Sequence, residues 1–594
     1  MKKVFPVLFL IFIATHFIQA QDKRLAGIDT AIQRILTEFN AVGVTVAVVE
    51  KNNVLLAQGF GYKDLDNKKS VTPQTLFQIG SCTKAFTTTL LGMLMDEKLL
   101  DFDKPVHEYL PELVFKDDNL TKNVTTRDMM THRTGLPRHD LAWYLRPKTT
   151  RAELLKAISQ FEASAGLREK WQYNNFMFMA QGVLAEKLTN KSWERLLQER
   201  IFTPLSMNGS KYSTADILKT DDYSLPYNYD DEKKKIKKLD YYHFSGMEPA
   251  GSIASNAKDM SEWLKTWVNA GKYNGKEIFS IDFYNQAIKP QMAMAGVPDK
   301  RELNLFTHGY GLGWMIKTYK GHHQVEHGGN IDGFSTTTCF YPNDSIGIFV
   351  SVNQNGSGVQ SFIRNWIADR LMNLEKTDWV SLNKPKKDDK KDEKKEEKQA
   401  DLSQKKGTQP SHKMEEYVGN YKNEGYGTIT IFKNDTALFT TLGKDTARLQ
   451  HFHYDIFKLV STKLEDLDEG GMKIRFNLNY DGDITSLDSK LEQALKNEIV
   501  FLKDAPAMKL MAADLKKYEG EYFISGAIVK IFEKSDALHM SVPGQPEYEL
   551  TPSKTDEFKL KGLEGYAVRF DVKEGNATAA YSIQPNGTFK MSKK

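Results

Sequence analysis

Hydrophobic and polar residues follow two rhythms along this chain. Val42-Gly43-Val44-Thr45-Val46-Ala47-Val48-Val49 is a nearly unbroken β-branched run, followed by polar Glu50-Lys51-Asn52-Asn53 and then Val54-Leu55-Leu56-Ala57. This pattern predicts strand, turn and strand. Between residues 81 and 98 the rhythm changes: Phe86, Leu90, Met93 and Leu94 recur on one side of a predicted helix, as burial in a core requires. Further helices are predicted over 151–161, 176–188 and 193–201. Asn256, with Asp259 three residues on, reads as the capped start of another, which carries Trp263 and Trp267. From 310 to 352 the chain is strand-rich, punctuated by Gly311, Gly313, Gly328, Gly329, Gly333 and the turn Pro342-Asn343-Asp344. Strands at both ends with helices between predict a mixed α/β layered domain whose sheet is closed by the domain's two ends.

Residues 384–408 break both rhythms. Lysine and acidic residues dominate them, and such a run buries no core, so it predicts a linker. Beyond it the chain repeats itself. Tyr417-Val418-Gly419-Asn420-Tyr421 returns as Tyr518-Glu519-Gly520-Glu521-Tyr522, Ile431-Phe432 as Ile531-Phe532, and Asp455-Ile456-Phe457-Lys458-Leu459 as Asp556-Glu557-Phe558-Lys559-Leu560. Short alternating runs between turn signals such as Tyr480-Asp481-Gly482-Asp483 and Pro585-Asn586-Gly587 predict a small all-β unit, sandwich or barrel, for each copy.

Length and charge add limits. At 594 residues the chain is too long for one core and suits about three or four domains. Its 81 Lys and Arg nearly balance 77 Asp and Glu, which leaves no electrostatic footprint for nucleic acid. Lys2 and Lys3 precede an apolar run from Val4 to Ile18, then Gln19-Ala20 and polar Gln21-Asp22-Lys23-Arg24. This is the pattern of a secretory signal peptide cleaved after Ala20. The run falls short of the ~20 residues that span a bilayer, so an uncleaved anchor is the second reading, and no stable membrane span is expected after cleavage. With no cysteine at the cleavage point, the expectation is a periplasmic or secreted protein. The expected organisation is thus a leader over 1–20, a main domain over 21–375, a charged linker over 376–411, and β units over 412–505 and 513–594. Cys82 and Cys339 are the chain's two cysteines. An oxidising compartment would allow them to pair, although Cys82 at a helix start reads more simply as a buried free thiol.

The chemistry begins at Ser81-Cys82-Thr83-Lys84, which follows the apolar Leu76-Phe77-Gln78-Ile79-Gly80. Residues three apart share a helix face, so a lysine amine can meet the serine hydroxyl. Serine is a poor nucleophile unless a base takes its proton as it attacks, and Lys84 serves only if burial or the helix N-terminus lowers its pKa. Tyr173, in Tyr173-Asn174-Asn175, is the second candidate base, and either asparagine could cap the following helix. His327-Gly328-Gly329-Asn330 stands between strand-like stretches. His322, His323 and His327 lack the H-E-x-x-H arrangement of a helical zinc site, and no phosphate loop or dinucleotide fingerprint is present, so no metal and no cofactor is expected.

The order Ser-x-x-Lys, Tyr-x-Asn, then a basic residue with glycine on a strand resembles the serine β-lactamase and penicillin-binding-protein superfamily, in the branch of class C β-lactamases, D-aminopeptidases and related esterases. Met130-Thr131-His132-Arg133-Thr134-Gly135-Leu136-Pro137 and Pro249-Ala250-Gly251-Ser252 extend the resemblance over roughly residues 25 to 375. It implies a β-lactamase-like fold, an antiparallel sheet flanked by helices with a helical subdomain, followed by two small β-barrel-like domains of a kind appended to many relatives. It implies Ser81, Lys84 and Tyr173 as catalytic residues acting through an acyl-enzyme, with Tyr173 protonating the leaving group. Asn175, His327, Gly328, Gly329 and Asn330 would bind substrate, and the backbone N–H groups of Ser81 and Asn330 would form the oxyanion hole. Histidine stands at 327 where the typical third box has lysine. A mostly neutral imidazole suits a substrate carboxylate less well, so penicillin hydrolysis gives way to esters, amides and small, possibly D-amino-acid, peptides. The expected partner is therefore a small-molecule or peptide substrate. A β-lactamase or D,D-peptidase, an acyltransferase using the same acyl-enzyme, and a non-catalytic cell-envelope binding protein are the alternatives. The β units are either accessories or a border to the active-site mouth.

Overall fold

The structure is a computed structural model, and it describes residues 22–231, 233–243, 245–294, 305–384, 403–443, 445–460, 472–504, 512–524, 526–563 and 565–594. The expected leader over 1–20 and most of the charged run lie outside these residues. The chain divides into two compact units. The first comprises the described residues up to 384 together with Glu424–Gly427 and Lys490–Glu498; the second holds the rest from 403 onward. Among the described residues no helix is long and apolar enough to cross a membrane.

A nine-stranded sheet organises the first unit. Its strands in chain order are β1 (Gly43–Glu50), β2 (Asn53–Asp64), β3 (Lys69–Ser70), β4 (Met292–Ala293), β5 (Leu305–Tyr310), β6 (Met315–Tyr319), β7 (His322–Ile331), β8 (Phe334–Tyr341) and β9 (Ile346–Val352). In space the order is β4-β5-β6-β7-β8-β9-β1-β2-β3, every neighbour antiparallel. The joint between β9 and β1, with Val46 opposite Val350, is where the two sequence ends of the domain meet. The apolar run of β1 is buried on both faces because helices cover both sides of the sheet. Val44, Val46 and Val48 pack with Ile348 and Val350 against Ile32 and Ile35 of α1 (Ile28–Glu38) and Ile363 and Ile367 of α5 (Val359–Leu371). On the other face α4 (Ala257–Val268) sets the Trp267 ring 5.4 Å from Phe340. Asn256 caps α4 by accepting the Asp259 N–H at 2.9 Å.

The helical part carries α2 (Thr83–Asp96) and α3 (Asn175–Thr189). All residues of α2 from Thr83 to Leu94 are buried, more than a one-sided helix would need, and Phe86 stacks on Trp263 at 3.9 Å between centroids. Asn174, rather than Asn175, caps α3: its side chain accepts the Met177 N–H at 3.0 Å. That leaves the Asn175 side chain available for other work.

The second unit is built around two closed eight-stranded barrels, with strands from Gly419–Asn423 to Ile499–Lys503 and from Gly520–Ile524 to Gly587–Lys593. Closure pairs the first strand of each with its last, Tyr421 opposite Lys503 and Tyr522 opposite Lys593, and so leaves no open sheet edge. The repeated residues do the same work twice. Tyr421 and Tyr522 each donate to the carbonyl four residues back at 2.8 Å, Tyr417 O and Tyr518 O. Tyr417 and Tyr518 each donate to the repeated aspartate, Asp455 and Asp556.

Candidate active site

Gly80 holds φ at +51°, a left-handed value that glycine adopts without strain. It turns the chain from the short strand Phe77–Gln78 into a 3-10 turn, Gly80–Cys82, so Ser81 sits just before α2 rather than within it. Side chains three apart lie over one another in such a turn, and Lys84 Nζ stands 3.1 Å from Ser81 Oγ. Ser81 is partly exposed while Lys84 is 0% exposed. Two acceptors hold the buried amine, Asn175 Oδ1 at 2.7 Å and Ala250 O at 2.8 Å. Tyr173 lies close enough to Ser81 for that hydroxyl to bear on its phenol, and its ring centroid lies 4.8 Å from Lys84 Nζ.

The strand bearing His327-Gly328-Gly329-Asn330 runs against the serine turn. A Cβ at Gly329 would overlap the Ile79 carbonyl and lie 3.1 Å from Ser81 N; one at Gly80 would lie 2.9 Å from Asn330 N. The backbones that carry the two expected oxyanion donors therefore lie against each other, and Gly329 serves the approach of strand to turn. Gly328 is uncrowded, with only Thr336 O at 3.8 Å from such an atom. The Asn330 side chain is occupied elsewhere: its Oδ1 accepts from Ser335 Oγ at 2.9 Å and Gly356 N at 3.1 Å.

His327, expected from its residue type to be a mostly neutral ring, is buried in the structure. It is 1% exposed, with Nδ1 2.6 Å from Gly328 O and Nε2 2.7 Å from Tyr310 Oη. Nδ1 can only donate to a carbonyl, so a neutral ring accepts the Tyr310 hydroxyl at Nε2. Burial and the Lys84 charge push its pKa down to about 3, so the ring stays neutral and both its nitrogens are engaged within the protein.

Burial also sets the two candidate bases apart. It drives the Lys84 pKa well below the ordinary lysine value, helped by the Arg138 charge and opposed by Asp140 and Cys82. It raises the Tyr173 phenol, opposed by the Ser81 hydroxyl and Arg138. Three oxygens surround the amine, which an ammonium meets with three N–H groups and a neutral amine with two N–H groups and a lone pair toward the Ser81 hydroxyl.

Residues given no role from sequence complete the site. His132 accepts the Asn174 N–H at Nδ1, 3.1 Å, and its ring lies 4.3 Å from that of Tyr173. Arg138 and Asp140 stand beside the same tyrosine. They lie within three residues after the Met130 to Pro137 motif, so that adjacency was the available signal. Cys82 and Cys339 are both buried free thiols, the first against His327 O at 3.1 Å, with pKa values pushed up to about 12 by burial. Among the described residues no group of three or more His, Cys, Asp or Glu is arranged to hold a metal ion.

The family model for beta-lactamase matches residues 28–371, more than half the chain. This chain belongs to the beta-lactamase family. A second model, a domain of unknown function (DUF3471), matches residues 403–503. The chain is 28% identical to unguisins hydrolase ungD' of Aspergillus campestris over 54% of its length and 60% of the relative's. With unguisins hydrolase ungD of Aspergillus violaceofuscus identity is 24%, over 69% and 78%. With protein flp of Staphylococcus aureus it is 23%, over 57% and 65%. Two of these three relatives are thus covered over less than two thirds of their own length. In fold the chain is similar to an octameric penicillin-binding protein homologue from Pyrococcus abyssi, with TM-score 0.53, 19% identity, and coverage of 81% of this chain and 100% of that one.

Proposed function

We propose that this protein is an exported serine hydrolase that forms an acyl-enzyme on Ser81 and acts on esters, amides or small peptides. The observation that carries the reading is the buried Lys84, held by Asn175 and Ala250 with Ser81 Oγ 3.1 Å from its nitrogen. In this reading neutral Lys84 takes the Ser81 proton as Oγ attacks the substrate carbonyl. Negative charge develops on the carbonyl oxygen between the N–H groups of Ser81 and Asn330. Tyr173 passes a proton to the departing oxygen or nitrogen as its bond to the acyl carbon breaks, and Lys84 restores the phenol. Water, activated by the same lysine, then hydrolyses the acyl-serine. The hydrolase names of the two Aspergillus relatives support this class of reaction. The leader pattern over residues 1–20 supports export.

Wild type and Ser81→Ala should be compared on p-nitrophenyl esters, D-amino-acid amides, muropeptides and nitrocefin, with intact-mass detection of fluorophosphonate labelling. Turnover and labelling in wild type alone are expected. Equal behaviour of the two proteins removes Ser81 as nucleophile, and binding without turnover of any class leaves a binding protein.

A further inference from the structure

His327 offers a ligand no cation, since its ring is neutral, buried and hydrogen-bonded on both nitrogens. A cation nevertheless stands at the mouth. The Arg138 side chain is 54% exposed, and its guanidinium carbon lies 4.8 Å from the Tyr173 ring centroid, the same distance as Lys84 Nζ. One tyrosine therefore has the base and a permanent cation against its ring.

Arg138 is held in place by a short chain of hydrogen bonds that leads back to the base. Its Nε and Nη2 share Asp140 Oδ2, each at 2.6 Å. The other Asp140 oxygen accepts from Asn175 Nδ2 at 2.9 Å and Trp143 Nε1 at 2.8 Å. Asn175 in turn presents its oxygen to Lys84. Asp140 thus orients the Asn175 amide and the guanidinium together, so Arg138 needs little further ordering to receive a ligand. Its Nη1 has no protein partner among the described residues, although five N–H groups make guanidinium a fork suited to carboxylate. Glu492, counted with the first unit, also bears on Arg138. Its oxygens are taken by backbone N–H groups, His139 at 2.7 Å and Ala494 at 3.1 Å.

We infer that Arg138 is a specificity-determining residue that binds a carboxylate of the substrate through Nη1. The site would then prefer esters or amides carrying a free carboxylate a short spacer from the scissile bond. This rests on the hydrolase reading. The carboxylate could belong to the acyl part or to the leaving group, and two substrate pairs separate these sources: mono-p-nitrophenyl glutarate against p-nitrophenyl butyrate, and 4-acetoxybenzoate against its methyl ester.

Wild type, Arg138→Gln and Arg138→Lys are compared on both pairs, each variant first checked for folding by thermal melting. The readout is the ratio of kcat/KM for the charged over the neutral member. In one pair Arg138→Gln should lower that ratio about tenfold or more, chiefly through KM, the usual worth of a charge-assisted hydrogen bond. Arg138→Lys should restore part of it. A shared fall in both members would mark a structural role only, and unchanged ratios in both pairs would overturn the proposal. Equilibrium binding of mono-p-nitrophenyl glutarate and 4-acetoxybenzoate to Ser81→Ala, with and without Arg138→Gln, tests the same contact without turnover. Failure of wild type to hydrolyse any of the four esters would count against the hydrolase reading. Equal binding of both probes by the two Ser81→Ala proteins would count against Arg138.

Discussion

Tyr173 in the catalytic unit and Tyr518 in the second barrel are both tyrosines whose ionisation is suppressed mainly by burial, the barrel phenol to about 12. They are used for opposite ends. Tyr518 donates to Asp556 Oδ1 at 2.6 Å, and Tyr522 donates to Tyr518 O at 2.8 Å. Tyr417 and Tyr421 repeat this pair in the first barrel. Each barrel hydroxyl ends on a fixed protein acceptor and closes a structural account. The Tyr173 phenol has instead the partly exposed Ser81 as its polar neighbour, beside a buried amine that favours its neutral form. A perturbed phenol is therefore no sign of chemistry by itself; the groups beside it decide.

Removing the proposed nucleophile or base would test that contrast most severely. Ser81→Ala and Lys84→Ala should each lose about a thousandfold or more in turnover, measured as initial ester hydrolysis with fluorophosphonate labelling followed by intact mass. Wild-type rates in either variant would return the site to the status of the barrel tyrosines.

Next comes the direct exchange between regions. Tyr173→Phe should reduce kcat about 10²- to 10⁴-fold, the range for a lost proton-transfer group, with a small change in melting temperature. Tyr522→Phe should leave turnover unchanged and destabilise its barrel by about 1 kcal/mol, through an orphaned carbonyl, read by urea denaturation. The comparison fails if the two variants exchange these outcomes.

Gly329→Ala sharpens the same point for backbone geometry. Its new methyl would overlap the Ile79 carbonyl, pushing β7 from the serine turn and parting the proposed oxyanion donors. A fall in kcat of about tenfold or more is expected, against no such loss for Gly328→Ala, where the nearest atom is 3.8 Å away.

The smallest effect is a shift on the pH axis. If neutral Lys84 is the base, kcat/KM rises with pH through the Lys84 pKa, and burial places that limb below the ordinary lysine range. Removing the Arg138 charge, a lesser cause of the same depression, favours the ammonium form. Arg138→Gln should therefore move the limb to higher pH. A limb that stays in place, or moves down, would assign it to another group.

The strand and helix rhythm, the tandem β copies and the Ser81–Lys84 spacing were legible in the chain because each depends on neighbours within a few residues, or on repetition along it. The cap of α3 was narrowed to Asn174 or Asn175, and only the packed structure separated them, giving one to the Met177 N–H and the other to Lys84. The sequence reading of His327 as a mostly neutral ring carried no partners for its two nitrogens, for the same reason. Tyr310 and the burial of the β7 strand lie outside any local pattern, and they set the tautomer and suppress the charge.

What the sequence alone determined is which groups were available: a serine one turn before a lysine, a tyrosine ahead of an asparagine pair, and two glycines on a strand. What only the tertiary structure decided is their protonation and their partners. Lys84 is buried, and the acceptors that hold it, Asn175 and Ala250, come from far along the chain; Arg138 likewise meets the Tyr173 ring from a segment some 35 residues away in sequence. Desolvation and charge are sums over everything nearby in space, whereas periodicity records only what is nearby along the chain.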